Sequence, residues 1–244
     1  MKKLIVSVDD IATLRYSLND SDIDPVQFAV LAEVAGANGI MATLTENKSG
    51  IQERDASLIK KLSKSFFNLH IPADTQFIKQ ALAIKPDMVT FVEITRAENV
   101  RLAPLSASNI TDVLGGVLSD FHASNISVAT LCYPEIAVLK QLSRVQIDCV
   151  AFDCSEYTQA QDSNEELVAL DKLRSTTLGA AKLGIGVNYY GGLDYGHLSS
   201  LARIPRVEDL TLGLNLIKRA LLVGVERAVL EARQLIMVQE NVAG

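Results

Sequence analysis

Short apolar runs alternate with longer amphipathic segments over nearly the whole chain. Several of the runs are almost continuously apolar, which is typical of parallel strands covered on both faces. The pattern predicts eight strands, at Leu4–Val8, Gly39–Leu44, Phe67–Ile71, Met88–Val92, Ser127–Leu131, Cys149–Phe152, Gly186–Asn188 and Asp209–Leu212.

The segments between these runs show the periodicity and the capping residues of helices. Asp24 before Pro25 is typical of a helix start, and Gly36 is typical of a helix end. A polar segment at 156–166 is predicted to be one long loop. The predicted helices are Pro25–Ala35, Glu53–Leu62, Asp74–Ile84, Ser106–Ala123, Pro134–Leu142, Asn164–Leu183, Tyr195–Ala202, Leu214–Leu222 and Val225–Gln239.

Eight strand–helix units predict a (β/α)₈ TIM barrel. We expect one domain over residues 1–244, with Val225–Gln239 as an extra C-terminal helix, because no Pro/Gly/Ser linker divides the chain. A doubly wound open sheet is the competing architecture. It usually has fewer units and a G-x-G-x-x-G turn after its first strand, and this chain lacks that turn.

The composition argues against two classes of partner, nucleic acids and membranes. The net charge is −6 and no Lys/Arg cluster is present, which argues against nucleic-acid binding. The 3 cysteines form no C-x-x-C pair, as in reduced intracellular proteins. The N-terminal apolar run is shorter than the about 7–15 residues of a signal peptide, and no run approaches the ~20 residues of a membrane span. We therefore expect a cytoplasmic protein with no membrane partner.

In a barrel of this kind the active site lies at the C-terminal ends of the strands. The titratable residues there are the candidates for acid–base catalysis: His70, Asp9, Glu46 and Asp153. Crowded carboxylates can also recruit a cation, so Asp9, Asp10, His70 and Asp153 form a candidate site for a divalent metal. The alternatives stay open, since a strand-end histidine is often a buried structural residue and Asp9 and Asp10 could cap the next segment.

The stretch GVNYYGGLDYG, which begins at Gly186, contains a Gly-Gly pair just after the seventh strand. Glycine turns after strands often bind phosphate through backbone N–H groups, and the loops after strands seven and eight are the usual phosphate pocket of this fold. The pair could also be a simple turn before the next helix. The candidate phosphate-binding residues are Asn188, Gly191, Gly192, Gly213 and Arg15.

Six segments, in order from Leu4 to Leu235, resemble the pyridoxine 5′-phosphate synthase family of vitamin B6 biosynthesis. They are VDDIATLR, DPVQFAVLAEVAGANGI, NLHIP, LGIGVNYYGGL, RIPRVEDLTLG and IKRALLVGV. The resemblance implies a barrel with extra helices and an oligomeric protein. It also implies condensation of deoxyxylulose 5-phosphate with an aminoacetone phosphate, without a metal or an organic cofactor.

The chain departs from the family's pattern where that pattern carries proton shuttles and cations. The family has histidines at Asp10, Gly191, Leu214 and Asp153, glutamates at His70 and Ala151, and an arginine at Leu18. After strand two it has a base histidine and nearby arginines, where this chain offers Thr43, Thr45 and Gly50. Threonine and glycine have no pKa near 7, so they cannot replace a general acid or base.

The sequence therefore predicts a synthase-like barrel that binds a phosphorylated small metabolite, with the condensation chemistry altered or lost. One alternative is a distinct enzyme with a carboxylate/His70 acid–base or metal site. Another is a non-catalytic partner subunit of an authentic synthase. We expect a homo-oligomer with no organic cofactor, and we leave a divalent metal open.

Overall fold

A computed structural model describes residues 2–96, 100–106 and 110–237 and shows eight parallel strands closed into a barrel. The barrel order is β1-β2-β3-β4-β7-β8-β9-β10, with β10 paired back to β1, while β5 and β6 form a separate antiparallel hairpin. The predicted TIM barrel is confirmed. The strands are β1 (Lys3–Ser7), β2 (Gly39–Thr43), β3 (Phe66–Ile71), β4 (Met88–Phe91), β5 (Glu93–Arg96), β6 (Val100–Ala103), β7 (Ser127–Cys132), β8 (Cys149–Asp153), β9 (Gly186–Tyr190) and β10 (Val207–Leu212).

Helices connect the barrel strands and cover the outside of the barrel. The last helix, α12, packs against α2, α10 and α11, and it is the predicted extra C-terminal helix. Its predicted end at Gln239 lies outside the described residues. The helices are α1 (Asp9–Leu18), α2 (Pro25–Val34), α3 (Glu53–Leu62), α4 (Thr75–Ile84), α5 (Ile110–Gly115), α6 (Leu118–Ala123), α7 (Ile136–Leu142), α8 (Ser155–Thr158), α9 (Ser163–Lys182), α10 (Tyr195–Ala202), α11 (Leu214–Val223) and α12 (Val225–Met237).

The two faces of the barrel strands differ in chemistry. Side chains alternate along a strand, so on β3 Phe67 and Leu69 join the outer core under the helices, while Asn68 and His70 face the barrel interior. TIM-barrel interiors are usually filled by Val, Ile and Leu. Here many of the buried inward positions are polar: Ser7, Thr43, Asn68, His70, Thr90, Asp153, Asn188, Asp209 and Thr211.

Two predicted segments are organised differently from the expectation. The predicted helix Ser106–Ala123 is, in its described part, two short helices that end and begin around Gly116, because two consecutive glycines disfavour a continuous helix. The predicted loop at 156–166 contains the end of α8 and the start of α9. Asp162 caps α9 by accepting hydrogen bonds from the N–H groups of Asn164 and Glu165, both at 2.9 Å.

Two elements were not anticipated. Asp9 and Asp10 begin helix α1 directly after the first strand, and the buried Ile11 and Ala12 hold this helix against the barrel. The β5–β6 hairpin follows the fourth barrel strand, where the sequence indicates only a connecting segment. Within the described residues no helix is both long and apolar enough to cross a lipid bilayer.

Candidate active site

A cavity of about 540 Å³ opens at the C-terminal ends of the barrel strands. The residues that follow β1, β2, β8, β9 and β10 line it, and Arg101 and Leu102 of the hairpin line another part. The unanticipated hairpin therefore belongs to the site. Two parts of the lining differ in chemistry: a carboxylate wall of Asp9, Thr43 and Gly50, and a glycine wall of Gly191, Gly192, Gly213, Asn215 and Lys218.

Asp9 is the titratable centre of the carboxylate wall. Its carboxylate accepts hydrogen bonds from the Thr43 backbone N–H and from Thr43 Oγ1, each at 2.7 Å. Burial outweighs these bonds and raises the pKa of Asp9 from 3.8 to about 6. A carboxyl group in this range can take up or release a proton near neutral pH.

Asp10 lies where the two walls meet. Burial raises its pKa, while the positive charge of Lys218 and a hydrogen bond from the Leu214 N–H act in the opposite direction. Asp10 Oδ2 lies 3.3 Å from the point that a Cβ on Gly213 would occupy. The carboxylate of Asp10 therefore lies at the N-terminus of α11.

The glycine wall has a backbone that other residues would not adopt. Gly191 and Gly192 have φ values of +104° and +67°, in the region that favours glycine. A Cβ on Gly192 would collide with the hydroxyl of Thr158. Thr158 Oγ1 also donates to the Gly191 carbonyl at 3.3 Å, and Asn215 Nδ2 donates to the Gly192 carbonyl at 3.3 Å. The loop is thus fixed through its carbonyl groups.

The N–H groups of this wall differ from its carbonyl groups in their hydrogen bonding. The backbone N–H groups of Gly191, Gly192 and Gly213 donate no hydrogen bond to any residue in the described part of the chain. Lys218 lies one turn into α11, is exposed, and lines the same cavity. Unpaired N–H groups, a helix start and a lysine form an environment that favours an anion.

His70 does not line the cavity. It is 2% exposed, and its ring contacts the edge of Tyr190, a residue that does line the cavity, at a centroid distance of 5.6 Å. Burial lowers the pKa of His70 from 6.5 to about 3, and its Nδ1 has no hydrogen-bond partner among the described residues. His70 is therefore a neutral side chain below the floor of the site.

Three other predicted site residues also lie outside the cavity lining. Arg15 forms a two-bond ion pair with Asp55, at 3.1 and 2.7 Å, which joins α1 to α3. Asn188 is buried in the barrel interior, with its Nδ2 3.9 Å from Met88 Sδ. Glu46 is exposed on the loop after β2.

The remaining predicted residues do meet in the cavity. Asp9, Asp153 and the three glycines line it together with Asp10. Asp153 accepts a 2.7 Å hydrogen bond from the Ser155 N–H. No group of three or more His, Cys, Asp or Glu side chains in the described ranges is placed to hold a metal ion.

Several lining residues were not predicted as site residues, namely Arg101, Gln159, Asn215 and Lys218. A signal exists for Lys218, because it lies four residues after Leu214 and so on the same face of the helix that starts at Gly213. No comparable signal exists for Arg101, because its place in the site depends on the hairpin.

Comparison with known proteins agrees with this fold. Over 96% of its length the chain superposes on KGPDC from Streptococcus mutans, covering 98% of that chain, with a TM-score of 0.64 and 15% identity. It also superposes on N-(5′-phosphoribosyl)anthranilate isomerase from Pyrococcus furiosus, over 97% of this chain and 99% of that one, with a TM-score of 0.62 and 13% identity. Fold and cavity thus define a TIM-barrel protein with its site at the strand ends.

Sequence comparison gives the family. The family model described as "Pyridoxal phosphate biosynthesis protein PdxJ" matches residues 4–238. The chain is 36% identical to pyridoxine 5′-phosphate synthase of a Synechococcus species over 234 residues, which are 96% of this chain and 98% of that enzyme. It is 34% identical to that of Syntrophobacter fumaroxidans over 242 residues, 97% of this chain and 99% of that one. The chain belongs to the pyridoxine 5′-phosphate synthase family, and the resemblance is confirmed.

Proposed function

We propose that this barrel binds a phosphorylated small metabolite through its glycine wall, and that the family's condensation chemistry is altered or lost. One observation carries the proposal. The cavity keeps a glycine wall suited to an anion, while none of the 3 histidines of the chain is among the residues that line it.

The binding half of the proposal rests on backbone chemistry. The N–H groups of Gly191, Gly192 and Gly213 are left without acceptors among the described residues, and two of these glycines have φ values that only glycine adopts readily. Backbone N–H groups at a helix start are donors for phosphate oxygens, and a nearby ammonium group strengthens that binding. Lys218 supplies the ammonium group.

The chemical half rests on which groups can move a proton. Gly191 stands where the family pattern has a histidine, and the loop in which the family has its base histidine offers Thr43, Thr45 and Gly50. Neither threonine nor glycine titrates near pH 7. His70 is buried, with a pKa of about 3. Each lost general acid or base costs a factor of about 10²–10⁴ in rate. Asp9, with a pKa of about 6, is a group through which a different proton transfer could run.

Calorimetric titration with a matched pair of ligands tests the binding half. Glycerol 3-phosphate should bind the protein, while glycerol, which has the same carbon skeleton, should not. Lys218→Met should weaken binding of the phosphate ester about tenfold, which corresponds to one lost charge-assisted contact. The control is Lys61→Met, which removes an exposed lysine of α3 that does not line the cavity.

The outcome that would refute the binding half is equal behaviour of the two ligands. If glycerol and glycerol 3-phosphate give the same heat at millimolar concentration, the glycine wall does not hold phosphate. Equal weakening by Lys218→Met and Lys61→Met would show a general charge effect and not a contact in the cavity.

A further inference from the structure

The Asp10 carboxylate occupies the same end of α11 that the proposed phosphate site uses. It accepts a hydrogen bond from the backbone N–H of Leu214, which is the first residue of α11. Its Oδ2 is close enough to Gly213 that an added Cβ would be 3.3 Å away. Asp10 and Leu214 are also two of the positions at which the chain departs from the family's pattern. A negative group thus already lies beside the donors of the glycine wall.

The charged and titratable groups around Asp10 come from several elements. Lys218 of α11 attracts it, and the charge of Asp10 contributes to the raised pKa of Asp9 of α1. Tyr190 of β9 is a neutral phenol whose pKa is raised by burial and also by the nearby Asp9, Asp10 and Asp153. From the hairpin, Arg101 lines the same cavity.

We propose that Asp10 is a built-in competitor for the ligand anion, so that an anion binds the glycine wall tightly only when the Asp10 carboxyl is protonated or has turned away. The inference rests on the proposed function, because it concerns the same site. Two negative groups at one helix start repel each other, and the positive charge of Lys218, which already acts on Asp10, would have to be shared between them. Asp10 therefore sets how strongly the cavity selects an anion.

The direction of the pH dependence follows from the charge of Asp10. At high pH the carboxylate is ionised, holds the Leu214 N–H and attracts Lys218, so an added anion is repelled. As the pH falls through the raised pKa of Asp10, the carboxyl group becomes neutral. The Leu214 N–H and the Lys218 ammonium group can then interact with the added anion. Anion binding should therefore strengthen as the pH is lowered.

Sulfate is a suitable probe, because its charge stays constant while carboxyl groups gain or lose a proton. We would measure its dissociation constant between pH 5 and 8 by calorimetry, for the natural protein, Asp10→Asn and Asp22→Asn. Asp22→Asn makes the same chemical change on an exposed loop outside the cavity lining. Asp10→Ser is a second variant that removes the carboxylate if the amide disturbs folding.

The expected result has three parts. In the natural protein, sulfate binds more tightly at pH 5 than at pH 8, because Asp9, with a pKa of about 6, and Asp10, with a raised pKa, carry less negative charge at the lower pH. Asp10→Asn binds about tenfold more tightly than the natural protein at pH 8 and shows a flatter profile. Asp22→Asn matches the natural protein at both ends of the range.

The failures of the two proposals are distinguishable. If the natural protein binds sulfate and Asp10→Asn has the same affinity and the same pH profile, the role of Asp10 is refuted while the anion site stands. If neither the natural protein nor the Asp10 variants bind sulfate or glycerol 3-phosphate at any pH, both proposals are refuted.

Discussion

The two walls of the cavity differ in the groups that they offer to a ligand. The glycine wall offers backbone N–H groups fixed by the φ values of Gly191 and Gly192. The carboxylate wall depends on side chains, and of Asp9, Thr43 and Gly50 only Asp9 has a group that titrates near neutral pH. Binding that rests on the backbone survives many substitutions, while proton transfer is lost with a single side chain. If the walls are separable in this way, a change in one wall should leave the property of the other unchanged.

The largest effect is expected from a residue that belongs to neither wall. Arg15→Met should destabilise the fold by about 3 kcal/mol, because it leaves the buried carboxylate of Asp55 without its ion pair. Binding of glycerol 3-phosphate by the folded variant should not change. Chemical denaturation and calorimetry measure the two quantities, with Arg227→Met on an exposed helix surface as the control. A large loss of affinity for glycerol 3-phosphate with unchanged stability would show that Arg15 contacts the phosphate, as the sequence had predicted.

The glycine wall can be broken at one backbone position. Gly192→Ala should cost about 2–3 kcal/mol of stability, from left-handed strain together with the collision with Thr158. It should also abolish measurable binding of glycerol 3-phosphate. The matched control is Gly184→Ala, where φ is +77° and nothing lies within 4 Å of the added Cβ.

That control should cost only about 1–2 kcal/mol, for the strain alone, and should bind the phosphate ester normally. If Gly184→Ala and Gly192→Ala lose the same stability and both bind the ester, the glycine wall has no special role.

The carboxylate wall should show itself in the pH dependence of stability. Asp9 has a pKa of about 6 in the fold and 3.8 as its ordinary value, so the folded state holds the proton more tightly. The stabilisation of the folded state that comes from this tighter proton binding is fully present below about pH 3.8 and is lost as the pH rises through about 6. Asp9→Asn should therefore reduce the loss of stability between pH 4 and 7 by on the order of 1–2 kcal/mol.

Denaturation curves at several pH values measure this slope, with Asp22→Asn as the control for an exposed aspartate. An unchanged slope in Asp9→Asn would show that Asp9 ionises normally and is not the proton-exchanging group of this wall.

The eight barrel strands could be predicted from the sequence because short, mainly apolar runs recur between longer amphipathic segments, as expected for parallel strands covered by helices. Helix α1 was not among the predicted helices, although Asp9 and Asp10 were also candidates to cap the next segment and an acidic pair starts a helix well. The β5–β6 hairpin was not anticipated because its residues, EITR and VRLA, carry charges on short strands outside the barrel.

The site was only partly predictable. The position of a residue along its strand does not show whether a side chain from a neighbouring strand covers it and keeps it out of the cavity. His70 lies near the C-terminal end of β3, as expected for a site residue, but it does not line the cavity. Its ring packs against Tyr190, and it is Tyr190 that lines the cavity. Lys218 enters the cavity from inside a helix, a location that a search of strand ends does not cover.

The rate of pyridoxine 5′-phosphate formation tests the central claim most directly. The purified protein would be assayed with deoxyxylulose 5-phosphate and an aminoacetone phosphate, beside the synthase of Syntrophobacter fumaroxidans as the positive control. We predict a rate at least about 10⁴-fold below that control, as expected when at least two proton-transfer groups are missing. Formation of the product at a rate close to that of the control would contradict the account.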